Sequence, residues 1–263
     1  MNVKEINSRH NHDFQTFLRI LKGQGVKKHS LAFFSGPKQV REILTEFPQR
    51  CEGLIFSTKH KMPEGILPRS LKKYFLSAEL FREIDAFGTH HPVLIVRVPP
   101  FPPWDAGASF KGCTLLIPFQ EPSNVGAVIR SAAAFGVTSV VVLKEAAHPF
   151  HYKSTRAGGS ALFRVPISDG PSIQQLGSAK FPIITLSAEG EDIRKFAFPE
   201  SFCLLPGLEG PGLPLELRHL KLLSIPMERG VESLNAALAT GIALYEWQRN
   251  RKEDLQAQSC KGT

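Results

Sequence analysis

The chain has 263 residues, which is enough for one large domain or for two domains of ordinary size. An apolar fraction of 42% and a charged fraction of 21% exclude global disorder, and no apolar run is long enough to suggest a membrane-spanning helix. The net charge of +8 favours a polyanionic partner such as nucleic acid, although many basic proteins bind none.

The first hundred residues predict a small α/β module. Three helices are expected, at 14–21 with Asp13 as its cap, at 38–47 and at 77–87, because apolar residues recur on one face of each. Four strands are expected between and after them, at 31–34, 53–57, 73–76 and 93–98. Residues 99–103 read Pro-Pro-Phe-Pro-Pro, a run that no helix or central strand accepts. We therefore predict a linker there, with domains at 1–103 and 104–263.

The second domain shows a clearer alternation of strands and helices. Helices are predicted at 123–135 and 233–249, and strands at 114–118, 139–143, 164–167, 183–187, 202–205 and 222–225. Such alternation is typical of an α/β fold whose parallel sheet is covered on both faces. From Lys252 onwards a polar tail is expected.

Bulk features also restrict the class of site. The four cysteines lie far apart and show no metal-binding spacing, so neither a zinc site nor a disulfide framework is expected, and a reducing cytoplasm fits. The first residues contain no apolar stretch of the kind that a secretory signal needs.

A first motif spans residues 118–132, where a strand ends and a helix begins. Ser123 or Asn124 can cap this helix, and Arg130 lies on its second turn. A guanidinium there can hold a phosphate through two parallel hydrogen bonds. On this motif alone, Asn124 as a simple cap and Arg130 as a solvated residue are the better interpretations.

A second motif spans residues 202–213, where an apolar strand enters a glycine-rich loop. Gly207 and the glycines after it permit a tight bend, and Glu209 can bind a hydroxyl or a basic group. The glycine spacing is GxxGxG rather than GxGxxG, and a proline interrupts it. A dinucleotide-dependent dehydrogenase is therefore disfavoured.

A third motif spans residues 223–246 and contains Ile-Pro-Met followed by Ser233-Leu-Asn235. Ser233 is predicted to cap a helix rich in small residues, with Asn235 in its first turn. A well-capped core helix would explain the small residues, but it would not explain why Ile-Pro-Met precedes Ser-Leu-Asn.

Together the three motifs resemble those of the SPOUT-class RNA methyltransferases, TrmH/SpoU branch, over roughly residues 112–249. The resemblance implies a C-terminal domain with a trefoil knot, a rare exception among folds. It also implies methyl transfer from S-adenosyl-L-methionine to a ribose 2′-hydroxyl of RNA. The implied catalytic residues are Asn124, Arg130, Glu209, Ser233 and Asn235, with Arg130 orienting phosphate and hydroxyl. The implied cofactor-binding positions are Leu186, Gly207, Ile225 and Leu234.

The same resemblance extends to the partners of the chain. The N-terminal module is similar in topology to the family's L30e-like RNA-binding domain, and the family implies a homodimer that can share its active site between subunits. Basic residues that would then meet RNA phosphates are Lys22, Lys27, Lys28, Arg41, Arg69, Lys72 and Lys73. As isolated positions, each is better explained as a solvated cation.

Two departures from the family pattern leave alternatives open. Arg229 stands where a glycine is common, and Leu208 stands where a small or polar residue is usual. A non-catalytic RNA-binding protein that retains the fold is one alternative, and methylation of a base rather than a ribose is another. The target, rRNA or tRNA, also stays open, and the large N-terminal module leans slightly towards rRNA.

Overall fold

The computed structural model describes residues 3–58, 71–108, 110–178, 182–207, 217 and 219–259. It divides into two compact units, one formed by Met1–Pro100 with His148–Ser160, the other by Phe101–Ala147 with Ala161–Thr263. The first break falls within the proline-rich run. The return of the chain to the first unit at residue 148 has no counterpart in the sequence-based division.

Eleven strands and seven helices lie in the described residues. The strands are β1 (Val3–Ile6), β2 (Leu31–Phe34), β3 (Cys51–Ser57), β4 (Lys72–Leu76), β5 (Val93–Arg97), β6 (Gly112–Ile117), β7 (Ser139–Val142), β8 (Ile167–Asp169), β9 (Ile183–Asp192), β10 (Ser201–Leu205) and β11 (Lys221–Ser224). The helices are α1 (His12–Leu21), α2 (Gly25–His29), α3 (Pro37–Glu46), α4 (Ala78–Ile84), α5 (Pro122–Phe135), α6 (Tyr152–Gly158) and α7 (Ala236–Ser259).

Each unit is built on one sheet. The first sheet is mixed, with the order β1-β4-β3-β5-β2, in which β5 runs antiparallel to its neighbours β2 and β3. The second sheet has the order β11-β9-β10-β6-β7-β8, and all of its described pairings are parallel. The predicted α/β fold with a parallel C-terminal sheet is therefore confirmed, whereas the knot and the L30e-like identity of the first unit stay predictions.

The two units have separate apolar cores. In the first, α1 and α4 pack on the sheet through Phe14, Phe17 and Phe81. In the second, the buried run Val140–Val142 of β7 sits among buried strand residues such as Leu116 and Leu205. A strand buried on both faces has no polar side to expose, which explains the continuous β-branched sequence.

Several sequence-based expectations were wrong in detail. The strand predicted at 164–167 begins only at Ile167, because residues 159–163 form a 3-10 turn and residues 164–166 connect it to the strand. Asn11 rather than Asp13 caps α1, and the Asp13 carboxylate instead accepts from Lys4 Nζ at 2.6 Å. The side chain of Glu121 caps α5, two residues before Ser123 and three before Asn124, which were the expected caps. Strand β1 and helices α2 and α6 were not predicted.

Helix α6 is fastened to the first unit by three hydrogen bonds. Thr155 Oγ1 donates to the carbonyl of Phe33 at 2.6 Å, and Gln39 Nε2 donates to the carbonyl of Arg156 at 3.0 Å. Arg156 Nη1 donates to the carbonyl of Ser35 at 3.3 Å. Thr155 is 1% exposed, so its hydroxyl is satisfied by internal acceptors, the carbonyls of Phe33 and Tyr152. Residues far apart in the sequence thus complete one unit.

Candidate functional site

An interruption in the pairing of β9 with β11 forms one wall of the candidate site. Thr185 pairs with Leu222, yet the next residue of β11, Leu223, pairs with Glu191. Residues 186–190 of β9 therefore have no pairing partner in β11 and bulge out of the sheet. We call these residues the excursion of β9. Gly190 brings the strand back, because a Cβ there would lie 2.5 Å from the carbonyl carbon of Leu223. A glycine is needed where two backbones approach so closely.

This excursion borders a cavity of about 330 Å³ at the carboxyl ends of the strands. The other walls come from Gly207, which follows β10, and from the segment between β11 and α7. Leu186, Gly207, Ile225 and Leu234, the four positions expected to bind the cofactor, all line it. Ligand sites of open α/β sheets lie at this edge. The structure thus brings the four positions together on one cavity.

The cavity is mostly apolar but carries two carboxylates. Leu186, Leu223 and Leu234 supply apolar surface, and Glu189 and Glu232 line the cavity beside them. Sequence reasoning missed both glutamates. Glu232 immediately precedes the Ser-Leu-Asn motif and could have been found there, whereas Glu189 faces the cavity only because of the excursion in β9.

Gly207 lets the backbone close the cavity on the side of β9. A Cβ at this position would lie 3.0 Å from the carbonyl oxygen of Leu186, a distance that side chains rarely tolerate. The glycine therefore permits a close approach of two strand ends. Leu208 and Glu209, which follow it, lie outside the described residues.

Asn235 links the third motif to the first. Its Nδ2 donates to Asn124 Oδ1 at 3.2 Å, and its Oδ1 accepts from the backbone N–H groups of Ala237 and Leu238 at 3.0 and 3.1 Å. Asn235 is therefore the cap of α7, and the prediction of Ser233 as cap was wrong. Ser233 instead lines the cavity with an exposed side chain.

Arg130 lies apart from this group. It is exposed on α5, six residues beyond Asn124, and it is not among the described residues that line the cavity. Within the described part of the chain, its guanidinium forms no ion pair. Six residues along a helix correspond to about 9 Å and to a different face. The structure thus joins Asn124 to Asn235, whose chain neighbours Leu234 and Ala236 line the cavity, and it joins Arg130 to neither.

The turn after Ile-Pro-Met explains how Arg229 is accommodated. The backbone of Gly230 has a φ of +90°, and nothing lies within 4 Å of where its Cβ would be. The left-handed residue of this turn is therefore Gly230, one position after the usual glycine. Arg229 itself is exposed and needs no unusual backbone conformation.

The basic residues predicted to meet RNA are mostly on the surface of the first unit. Lys22, Lys28, Arg41 and Lys72 are exposed, and Lys73 is half-buried. Arg69 and the side chain of Lys27 lie outside the described part. In the ranges the structure describes, no group of three or more metal-ligating side chains could hold an ion, and no helix is both long and apolar enough to cross a membrane.

Comparisons with known proteins point to one family. The model of the SpoU rRNA Methylase family matches residues 113–245. A protein of Syntrophobacter fumaroxidans named ribosomal RNA small subunit methyltransferase G 2 is 45% identical over 248 residues, which cover 94% of this chain and 49% of that protein. The 23S rRNA (uridine(2479)-2′-O)-methyltransferase of Streptomyces viridochromogenes is 34% identical over 143 residues, half of each chain. The chain thus spans about half the length of these two relatives.

A solved structure shares the fold over nearly the whole chain. The AdoMet-bound rRNA methyltransferase from Sinorhizobium meliloti superposes with a TM-score of 0.75 at 23% identity, covering 95% of this chain and 98% of that one. At this identity the likeness establishes the fold.

Proposed function

The chain belongs to the SpoU rRNA methylase family, and from this premise we propose that it is an RNA methyltransferase that methylates a ribose 2′-hydroxyl using S-adenosyl-L-methionine. One relative is named a 2′-O-methyltransferase of 23S rRNA, and the structural neighbour from Sinorhizobium meliloti is an AdoMet-bound rRNA methyltransferase. The observation that carries the proposal is the single cavity on which Leu186, Gly207, Ile225 and Leu234 converge.

The cavity fits the proposed cofactor in size and in chemistry. Its volume of about 330 Å³ lies within the range of small-molecule sites, roughly 300–1,000 Å³. Leu186, Ile225 and Leu234 offer apolar surface to an adenine ring, and Glu189 and Glu232 favour the cationic sulfonium and ammonium groups. When bound, S-adenosyl-L-methionine supplies an electrophilic methyl group on its sulfonium.

The chain's own residues would position the RNA hydroxyl. Ser233 lines the cavity and can hydrogen-bond this hydroxyl, while Asn235 holds Asn124 beside the start of α5. Arg130 would hold the neighbouring phosphate and orient the hydroxyl, since a guanidinium with a pKa above about 12 is a poor proton acceptor. Much of the rate acceleration would then come from orientation. Glu209 would bind and orient a hydroxyl or a basic group, which is the role expected from the sequence.

We propose further that the protein acts as a homodimer with a shared site. An apolar groove lies between α5 and α7, and it includes Phe135, Leu238 and Tyr245. Leu238 is 56% exposed and Tyr245 is 52% exposed, which is unusual for large apolar side chains. Arg130 is on the same helix as Phe135 but away from its own cavity. A second copy seated on this groove would cover the apolar groups and could bring Arg130 to the partner's cavity.

Subunit complementation tests this arrangement. Arg130→Ala should lower methyl transfer at least about a hundredfold and leave cofactor binding nearly intact. Gly207→Leu should block the cavity, because the added side chain would overlap Leu186. If the site is shared, mixing the two inactive variants should restore about a quarter of the parental activity, since half of the dimers are mixed and each has one intact site. No recovery in dimers shown to be mixed would contradict a shared site.

The alternative of a non-catalytic RNA-binding protein is favoured by one observation, which is that Arg130 is not among the described residues that line the cavity of its own chain. Labelled S-adenosyl-L-methionine incubated with total RNA separates the alternatives. If the phosphodiester that follows the labelled nucleotide resists alkaline cleavage, the methyl group is on the ribose. If alkali cleaves that phosphodiester, the methyl group is on the base. RNA binding with no label, and with no calorimetric signal for the cofactor, would support the non-catalytic protein. Ribosomal RNA is the proposed target, which would place the protein in the cytoplasm.

A further inference from the structure

The first unit displays an exposed aromatic ring on a well-ordered loop. Phe87 follows α4 and is 37% exposed. Asp85, which is buried, holds the loop: Thr89 Oγ1 donates to its Oδ1 at 2.9 Å, and the His90 N–H donates to its Oδ2 at 2.7 Å. The ring of Phe87 is therefore presented by a fixed backbone, and the nearby carboxylate is already engaged within the loop.

The segment 148–160 places two further rings and a guanidinium beside Phe87. The Tyr152 ring lies 5.6 Å from that of Phe87, and the His151 ring lies 4.7 Å from that of Tyr152. The guanidinium of Arg156 stands over the Phe87 ring at 5.4 Å from its centroid. We call Phe87, His151, Tyr152 and Arg156 the aromatic platform. The hydrogen bonds of Thr155 and Gln39 hold α6, which carries Tyr152 and Arg156, against the rest of the unit.

Positive charge surrounds these rings. Lys153 and Arg156 are exposed on α6. Lys22 is also exposed and adjoins Gly23, where a Cβ would lie 2.8 Å from the His151 ring. Aromatic faces next to cations are the features with which proteins hold unpaired nucleotides, whose bases stack while their phosphates pair with Lys and Arg.

We propose that the aromatic platform binds an unpaired segment of the RNA substrate, with one base stacked on Phe87 and the flanking phosphates held by Lys22 and Lys153. This site rests on the proposed function for its substrate class, but it is separate from the cofactor cavity. It recognises single-stranded RNA in preference to a duplex, because stacked bases in a duplex have no free face to offer.

Substitution of Phe87 in the full chain tests the platform. The probes are fluorescently labelled single-stranded RNAs of about 12 nucleotides and a duplex of equal length. Phe87→Leu keeps an apolar side chain but removes the ring, and it should weaken single-strand binding about tenfold. Phe87→Trp keeps the stacking surface and should bind within about twofold of the parent. Phe47→Leu, which changes a half-buried phenylalanine of the same unit outside the platform, is the matched control and should bind like the parent.

The outcomes separate this site from the proposed function. Unchanged single-strand affinity in Phe87→Leu, or an equal loss for the duplex, would overturn the platform. An equal loss in Phe47→Leu would also overturn it, since the effect would then be one of general stability. Failure of the parent to transfer methyl groups would count against the proposed function, while the affinity ratio of Phe87→Leu to Phe87→Trp would still decide the platform.

Discussion

Replacing Asn235 separates two roles that its side chain combines. The Oδ1 atom accepts from two backbone N–H groups at the start of α7, and the Nδ2 atom donates to Asn124. Asn235→Ala removes both interactions. Asn235→Asp retains the acceptor at the helix start but has no side-chain N–H for Asn124. The pair of variants therefore distinguishes capping from contact with the first motif.

The expected magnitudes follow from this geometry. Loss of a side-chain cap costs about 1 kcal/mol and at most about 2 kcal/mol of stability, so Asn235→Ala should fall in this range. Asn235→Asp should stay within about 0.5 kcal/mol of the parent, because a carboxylate near a helix N-terminus interacts favourably with the helix dipole. The hydrogen bond to Asn124 is solvent-exposed and contributes little to stability, yet its loss should lower methyl transfer in both variants.

Urea unfolding measures the first effect, and single-turnover methyl transfer measures the second. Asn235→Ser is the control for capping. Its hydroxyl can still accept from the backbone N–H groups at the start of α7, but its shorter side chain cannot reach Asn124. If Asn235→Asp is as unstable as Asn235→Ala, Asn235 is not the cap of α7. If Asn235→Asp transfers methyl groups like the parent, the contact with Asn124 has no part in the reaction.

Three further changes test the remaining structural features. Gly190→Ala should destabilise the second unit by at least about 2 kcal/mol in urea unfolding, because the new Cβ would overlap the backbone of Leu223; a neutral effect would contradict the described excursion. Thr155→Val should cost the first unit about 1 kcal/mol, since the nearly isosteric valine cannot donate to the carbonyl of Phe33, and unchanged stability would show that this hydrogen bond is unimportant. Burial raises the pKa of Cys203 to about 12 from an ordinary 9.0, so the thiol's contribution to stability is full below pH 9 and is lost as the pH rises towards 12. Cys203→Ala should therefore reduce the fall in unfolding free energy over this pH range. The same fall in the variant and the parent would refute the argument.

Periodicity and apolar runs predicted the regular elements of this fold well, because burial acts on each element separately. The β-branched run at Val140–Val142 fitted a strand buried on both faces, and the structure shows one there. Helix α6 was missed for the opposite reason. Its buried residues include Ser154 and Thr155, whose hydroxyls are satisfied by acceptors that the sequence does not identify, one of them Phe33, 122 positions away. Polar residues buried by distant partners leave no local signal.

The start of α7 shows how the site itself overrides local preference. Ser233 and Asn235 are both residue types that cap helices well, and the sequence analysis predicted Ser233 as the cap with Asn235 in the first turn. The structure keeps residues 231–235 non-helical, and Glu232, Ser233 and Leu234 line the cavity from this stretch. A helix capped at Ser233 would instead begin at Leu234, and the side chain of Leu234 would then point about 100° away from that of the next residue. With Asn235 as the cap, Glu232, Ser233 and Leu234 stay outside the helix and all three line the cavity, so the segment before α7 supplies this part of the lining.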